Sequence, residues 1–207
     1  MTEVLIVEDS KIVRNSIEAR LKESGRYEVA ASIENAANAE LVCMSGRVRL
    51  VLMDICTADD ESGLTAAARI KNSYPDILVV LMTSMPEQSF LERAREAGVD
   101  SFWYKEYGSV DLLELLDRTV AGESVWPEEQ PLITIGLTDS RHITGREMDI
   151  LRELATGARY EEIAESMNIT VNTVKYHVKN LMQKTGFRSA LQLVAEVVEK
   201  RLVLPRY

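Results

Sequence analysis

Val4-Leu5-Ile6-Val7-Glu8-Asp9-Ser10 places four consecutive apolar residues in front of two carboxylates and a hydroxyl. A short, continuous apolar run fits a strand buried on both faces, as in a parallel sheet covered by helices. The pattern returns at Leu50-Val51-Leu52-Met53, which ends in Asp54, and at Leu78-Val79-Val80-Leu81, which leads to Thr83-Ser84. Tyr27-Glu28-Val29-Ala30 and Ser101-Phe102-Trp103-Tyr104 are weaker strand candidates, the second followed by Lys105. Helix-period segments separate them. One covers about 11–23, with Ile12, Val13, Ile17 and Leu21 on one face, and others cover about 35–45, 64–73, 87–97 and 109–121. Five strand–helix units predict an α/β, doubly wound, five-stranded parallel sheet over residues 1–120.

The rest of the chain has a different character. Of 207 residues, 46% are hydrophobic and 28% charged, which excludes global disorder. The longest clean apolar stretch is Ile77–Met82, far short of the roughly 20 residues of a membrane-spanning helix. No basic segment precedes an apolar one at the N-terminus, so no signal peptide and no membrane partner are expected. Cys43 and Cys56 are too few for a disulfide framework, and His142 and His177 too few for a histidine metal site. A reduced, cytoplasmic protein is the expectation. The net charge of −9 is unevenly spread: residues 1–120 carry 13 Lys/Arg against 21 Asp/Glu, residues 141–207 carry 11 against 8, and residues 121–140 carry no basic residue. An acidic front and a basic back point to two domains with different partners, the basic one suited to nucleic acid. Gly122, Pro127, Pro131 and Gly136 mark residues 121–140 as a linker, with some order expected around Val125-Trp126-Pro127.

Residues 141–207 read as a small all-α, four-helix unit. Thr144 stands three residues before Glu147, the spacing of a capping box, so a first helix covers about 145–155. Further helices follow at about 160–167, 171–185 and 189–199, with Asn168-Ile169-Thr170 as a tight turn. Two helices around such a turn, the second basic, form a helix-turn-helix pattern. In the third helix Val171, Val174, Val178, Leu181 and Met182 recur at three- and four-residue steps and face the core, while Asn172, Lys175, Tyr176, Lys179 and Gln183 hold much of the other side.

Open parallel sheets bind ligands at the carboxyl ends of their strands. Glu8-Asp9, Asp54, Thr83-Ser84 and Lys105 all stand at such ends. Acids gathered at one point repel one another, and a divalent cation with oxygen ligands, Mg²⁺, resolves the repulsion. A carboxylate beside it can attack phosphorus and form an aspartyl-phosphate. Thr83 is placed to donate a hydrogen bond to one phosphoryl oxygen, and Lys105 to pair with another.

Leu5-Ile6-Val7-Glu8-Asp9-Ser10, Val51-Leu52-Met53-Asp54-Ile55, Met82-Thr83-Ser84 and Phe102-Trp103-Tyr104-Lys105 together resemble the receiver domain of bacterial two-component response regulators. Each residue alone reads as turn, core or surface; the ordered combination carries the resemblance. It implies that Asp54 is the phospho-acceptor, that Asp9 with Glu8 binds Mg²⁺ and that the Cys56 carbonyl completes the site. Thr83 and Phe102 match the switch pair, and Lys105 matches the phosphate-contacting lysine. The loop Cys56-Thr57-Ala58-Asp59-Asp60-Glu61-Ser62-Gly63 departs from the family. Its usual Met-Pro pair is missing and its glycine comes one residue late; Asp59, Asp60 and Glu61 either face solvent with little effect or add charge that slows phosphorylation or binds a second cation.

Thr144 to Phe187, with Glu147, Gly157, Ile163-Ala164, Ile169-Thr170 and Thr173-Val174-Lys175-Tyr176-His177-Val178, resembles the LuxR-type helix-turn-helix. With the receiver this is the arrangement of the NarL/FixJ branch. The resemblance implies that Lys175, Tyr176 and Lys179 meet base edges of double-stranded DNA, and that Thr173, His177, Asn180 and Lys184 contact phosphate or orient. It also implies that the fourth helix, with Leu191, Leu193, Val194, Val197 and Val198, joins a homodimer. The expected function is a transcription regulator switched when a sensor histidine kinase phosphorylates Asp54, and not an enzyme. Two other readings stay open: a regulator whose receiver is only a dimerisation scaffold, and a small phosphatase. The phosphatase would want a second acid where Cys56 stands.

Overall fold

The structure is a computed structural model. It describes residues 1–57, 62–86, 88–106, 110–128, 131–200 and 202–203. The chain divides into two compact units, the first ending near residue 129 and the second made chiefly of residues 130–207.

The first unit alternates β1 (Thr2–Val7), α1 (Lys11–Ser24), β2 (Tyr27–Ile33), α2 (Ala39–Cys43), β3 (Leu50–Asp54), α3 (Gly63–Ser73), β4 (Leu78–Thr83), α4 (Gln88–Glu96), β5 (Ser101–Tyr104) and α5 (Leu112–Val120). The strands form one parallel sheet in the order β2-β1-β3-β4-β5. The chain starts in the middle, winds one way and then the other, so helices cover both faces. Val4, Ile6, Leu50, Leu52, Val80 and Met82 pack with Ile17 and Leu21 of α1 and Leu112, Leu115 and Leu116 of α5. By strand alternation Leu5, Val7, Val51, Met53, Val79 and Leu81 face the opposite side, and all six are fully buried.

Helix α1 corrects one expectation. Ile12 is 84% exposed, and the inward positions belong to Arg14, Ile17 and Leu21. A cation has taken a core-facing place in the first turn, and the apolar residue two positions earlier faces water.

The second unit begins with a hairpin, β6 (Thr134–Ile135) and β7 (Thr138–Asp139), followed by α6 (Gly145–Ala155), α7 (Tyr160–Ser166), α8 (Val171–Thr185) and α9 (Ala190–Glu199). The Thr144–Glu147 capping box is formed in both directions. Asn168, between α7 and α8, is the one non-glycine residue with positive φ among the described residues. Its left-handed backbone makes the tight turn, and the Thr170 side chain then caps α8 by accepting from the Thr173 N–H. Ile150, Ile163, Ala164, Val174 and Val178 form the core between α6, α7 and α8. Leu181, Leu193 and Val197 form another with Ile135 of β6 and Ile133 just before it.

Residues 121–140, expected as a linker, carry more structure than their composition suggests. Val125 is buried against α5 and the sheet, and Gly136 turns the hairpin at φ 57°. A Cβ at Gly136 would lie 2.0 Å from the Thr185 carbonyl oxygen, so the turn residue sits directly on the end of α8. Both features are too short to leave a periodicity in the sequence.

Candidate functional site

Strand register builds the first site. Val7 pairs with Met53, Asp54 with Met82, and Thr83 with Tyr104, so Glu8, Asp54, Thr83 and Lys105 emerge together at the carboxyl ends of the strands. Carboxylate oxygens of Glu8, Asp9 and Asp54 lie within 4.8 Å of one another. Glu8 and Asp54 are buried and Asp9 is exposed, which leaves the cluster open at Asp9. The Lys105 ammonium lies 2.5 Å from Glu8 Oε2 and 3.0 Å from Asp54 Oδ2. Burial pushes the Asp54 carboxyl up to about 7; Glu8 and Asp9 add to the rise, while Lys105 opposes it. Burial alone would lower the Lys105 ammonium, but Asp54 and Glu8 outweigh it and hold its pKa above the ordinary value. Three hard oxygen donors, two of them paired with one lysine, are an electron-rich set that fits a small divalent ion such as Mg²⁺.

Thr83 is buried at the end of β4, and its carbonyl accepts from the Lys105 N–H at 2.9 Å. Phe102 is buried on β5, its ring 5.1 Å from that of Tyr104, edge to face. Cys56 is half-buried two residues beyond Asp54 and bridges to Ser62 across the loop. Asp59, Asp60 and Glu61, expected to charge this loop, lie outside the described residues. The late glycine is explained: a Cβ on Gly63 would lie 1.9 Å from the Asp54 carbonyl oxygen. Whatever the loop length, the residue that starts α3 must lack a side chain to sit on the acceptor strand.

The sequence did not point to Arg14. Its guanidinium donates to the Glu8 carbonyl at 2.6 Å, to the Asp9 carbonyl at 3.4 Å and to Glu34 Oε1 at 2.7 Å. It fixes the backbone of the acidic pair from behind. The one available signal was an arginine at core-facing spacing from Ile17 and Leu21.

The second site is the outer face of α8. Lys175, Tyr176 and Lys179 are exposed at helical spacing and Tyr176 is 61% exposed, its ring 5.5 Å from that of His177. Thr173 and Asn180 flank them, both half-buried. Lys184 is not placed with this group. Its ammonium donates to buried Glu147 at 2.7 Å and to the His142 carbonyl at 3.0 Å. Glu147 therefore serves three partners, since Oε2 also accepts from the Thr144 N–H and hydroxyl. Lys184 and Glu147 tie the end of α8 to the start of α6.

Comparison with known proteins agrees with both halves. Residues 4–117 match the response regulator receiver domain, and residues 141–197 match the bacterial regulatory proteins of the luxR family. The response regulator protein VraR of Staphylococcus aureus is 33% identical over 207 residues, covering 97% of this chain and 98% of its own. Among solved structures, RcsB from Salmonella enterica serovar Typhimurium, bound to a promoter with a phosphomimetic, aligns with a TM-score of 0.59 at 20% identity, covering 95% of this chain and 97% of that one. RcsB of Salmonella typhimurium from a study of conformational dynamism aligns with a TM-score of 0.56 at 20% identity, covering 96% and 100%. The chain belongs to the two-component response regulators in which a receiver domain is joined to a LuxR-type helix-turn-helix DNA-binding domain.

Proposed function

We propose that this transcription regulator is switched by phosphorylation of Asp54. The carrying observation is the convergence of Glu8, Asp9 and Asp54 within 4.8 Å, with the Lys105 ammonium 3.0 Å from Asp54. A sensor histidine kinase donates the phosphoryl group. An Asp54 carboxylate oxygen attacks phosphorus and the bond from phosphorus to the kinase imidazole breaks. The imidazole leaves with that electron pair and takes a proton from water, and a mixed anhydride remains on Asp54. Glu8, Asp9, Asp54 and the Cys56 carbonyl would hold Mg²⁺, which when bound would supply positive charge that screens the carboxylates from the phosphoryl oxygens.

Lys105 pairs with one phosphoryl oxygen in place of its present partners, and the Thr83 hydroxyl donates to another. Phe102 follows into the space Thr83 vacates. The modification adds about −1.5 to −2 charges at a fixed point, and the altered surface around α5 favours a homodimer. In the dimer the exposed faces of α8 enter successive major grooves, with Lys175, Tyr176 and Lys179 on base edges and Thr173 and His177 on the backbone. Leu191, 79% exposed on α9, joins the two DNA-binding units. A phosphatase reading is weaker, because Cys56 stands where the general acid is needed.

The test is DNA binding by one sample before and after incubation with a small phosphodonor and Mg²⁺. The proposal expects tighter binding after incubation in the wild type and no change in Asp54→Ala. Equal affinity in all four conditions would favour a receiver that only dimerises. No helix among the described residues is long and apolar enough to cross a membrane.

A further inference from the structure

Strand β5 is the last strand of the sheet, so its outer edge offers unpaired backbone groups. The segment after α5 covers that edge. The Phe102 N–H donates to the Val125 carbonyl at 2.9 Å, and the Val125 N–H donates to Ser101 Oγ at 3.0 Å. Ser101 Oγ is itself held 2.7 Å from Thr119 Oγ1 of α5. The Val125 side chain packs in the core with Leu115 and Leu116, while Trp126 lies against Phe102. The Trp126 ring lies on Phe102, with centroids 6.2 Å apart and planes 21° from parallel. The Arg95 guanidinium of α4 lies over the same indole, 5.0 Å from its centroid. Phe102 is 1% exposed because Tyr104 closes one side and Trp126 covers another.

Phe102 cannot change rotamer without disturbing one of these rings. Tyr104 is fixed in the sheet. Trp126 stands on a strap attached to β5 by two hydrogen bonds, so it is the ring that yields. We propose that Trp126 is a positioning residue for the switch: it holds Phe102 in its resting rotamer, and the rotamer change on phosphorylation releases the indole and loosens the strap at residues 124–126. The strap is the chain's exit from the receiver, so the state of the acceptor is passed directly to the segment that leads to the DNA-binding unit. This inference rests on the reading of Asp54 as phospho-acceptor and of Phe102 as its switch partner.

The full chain is labelled with 5-fluorotryptophan and followed by fluorine NMR as beryllium fluoride and Mg²⁺ are added. Its two indoles are assigned with Trp103→Phe. Bound beryllofluoride gives its own fluorine resonance, which reports occupancy of Asp54 independently. The expected result is a bound-fluoride signal together with a moved Trp126 resonance that a soluble paramagnetic agent broadens more than before. Trp126→Leu should lower the beryllofluoride concentration at half-saturation by roughly two- to tenfold, the factor a single aromatic pair contributes. Trp126→Phe, which restores a stacking ring, should return it toward the wild-type value. Bound beryllofluoride with a stationary Trp126 resonance would overturn the positioning role and leave the acceptor reading standing. Failure of the wild type to bind beryllofluoride would remove both. The labelled wild type decides the question even if Trp126→Leu does not fold.

Discussion

Gly63→Ala sets two physical rules against each other. Gly63 is the first residue of α3, and glycine has poor helix propensity, so alanine should stabilise the helix by up to about 1 kcal/mol. Packing demands the reverse. A Cβ at this position would stand 1.9 Å from the Asp54 carbonyl oxygen and 2.9 Å from its carbon, against a floor of 3.0 Å for such contacts. Strand β3 or the start of α3 must retreat by about 1.1 Å, taking with it the Gly63 N–H to Ile55 carbonyl bond. The neighbour is backbone in a fully buried strand and cannot swing aside as a side chain would. Overpacking of this kind costs about 3 kcal/mol, leaving a net loss of about 2 kcal/mol after the gain in propensity. For a unit of this size that lowers the melting temperature by roughly 6–10 °C. Differential scanning calorimetry of the receiver transition is the assay, with and without Mg²⁺. The displacement reaches Asp54 itself, so Mg²⁺ should also protect the variant less than the wild type. A melting temperature equal to or above that of the wild type would refute the seating of α3 on the acceptor strand.

Lys184→Met should destabilise the second unit by about 1–3 kcal/mol at neutral pH, because it strands the buried Glu147 carboxylate. The same pair sets a pH dependence. Burial acts to raise the Glu147 carboxyl, but Lys184 and the Thr144 N–H and hydroxyl outweigh it and hold it below 4.5. Its stabilisation is therefore present above pH 4.5 and is lost as acid protonates the folded form. Urea melts from neutral to acid pH should show a smaller acid loss in Lys184→Met than in the wild type. Lys179→Ala should reduce the salt slope of binding to a duplex by about 1 if the lysine meets phosphate, and relax specificity at one position if it meets a base; anisotropy across a salt series separates the two, and no effect would exclude the α8 face. Ile12→Ser should change stability by no more than about 0.5 kcal/mol, since the side chain is 84% exposed; a loss beyond about 1 kcal/mol would return Ile12 to the core.

Strands β1, β3 and β4 were legible because burial on both faces leaves uninterrupted apolar runs, whereas β2 and β5, at the two ends of the strand order, left weaker patterns; the acids and Lys105 stood at the strand ends. The helices of the second unit were legible nearly to the residue, because capping groups such as Thr144 and a stop such as Gly186 mark their ends. Other features left weaker traces. The helical period of α1 admitted both Ile12 and Arg14 to an inward face, and only the contact of Arg14 with the Glu8 and Asp9 carbonyls decides between them. Lys184, near the end of α8, is recruited by a carboxylate 37 residues earlier in the chain, a tertiary pairing that no local pattern announces. The strap at Val125-Trp126 is one residue pair bonded to β5, too short for a period, though the paired apolar residues amid polar ones hinted at order. Gly63 was visible as a glycine out of register with its family, but its cause, the Asp54 carbonyl, required coordinates.

The central claim is that the Asp54 carboxylate accepts a phosphoryl group. Reduction of the phosphorylated chain with borohydride converts an acyl-phosphorylated aspartate to homoserine, and tandem mass spectrometry of the peptides locates it. The account predicts homoserine at position 54 alone, formed only when a phosphodonor and Mg²⁺ are both present. Homoserine at another carboxylate, or none at any position with Mg²⁺ and donor in excess, would contradict it.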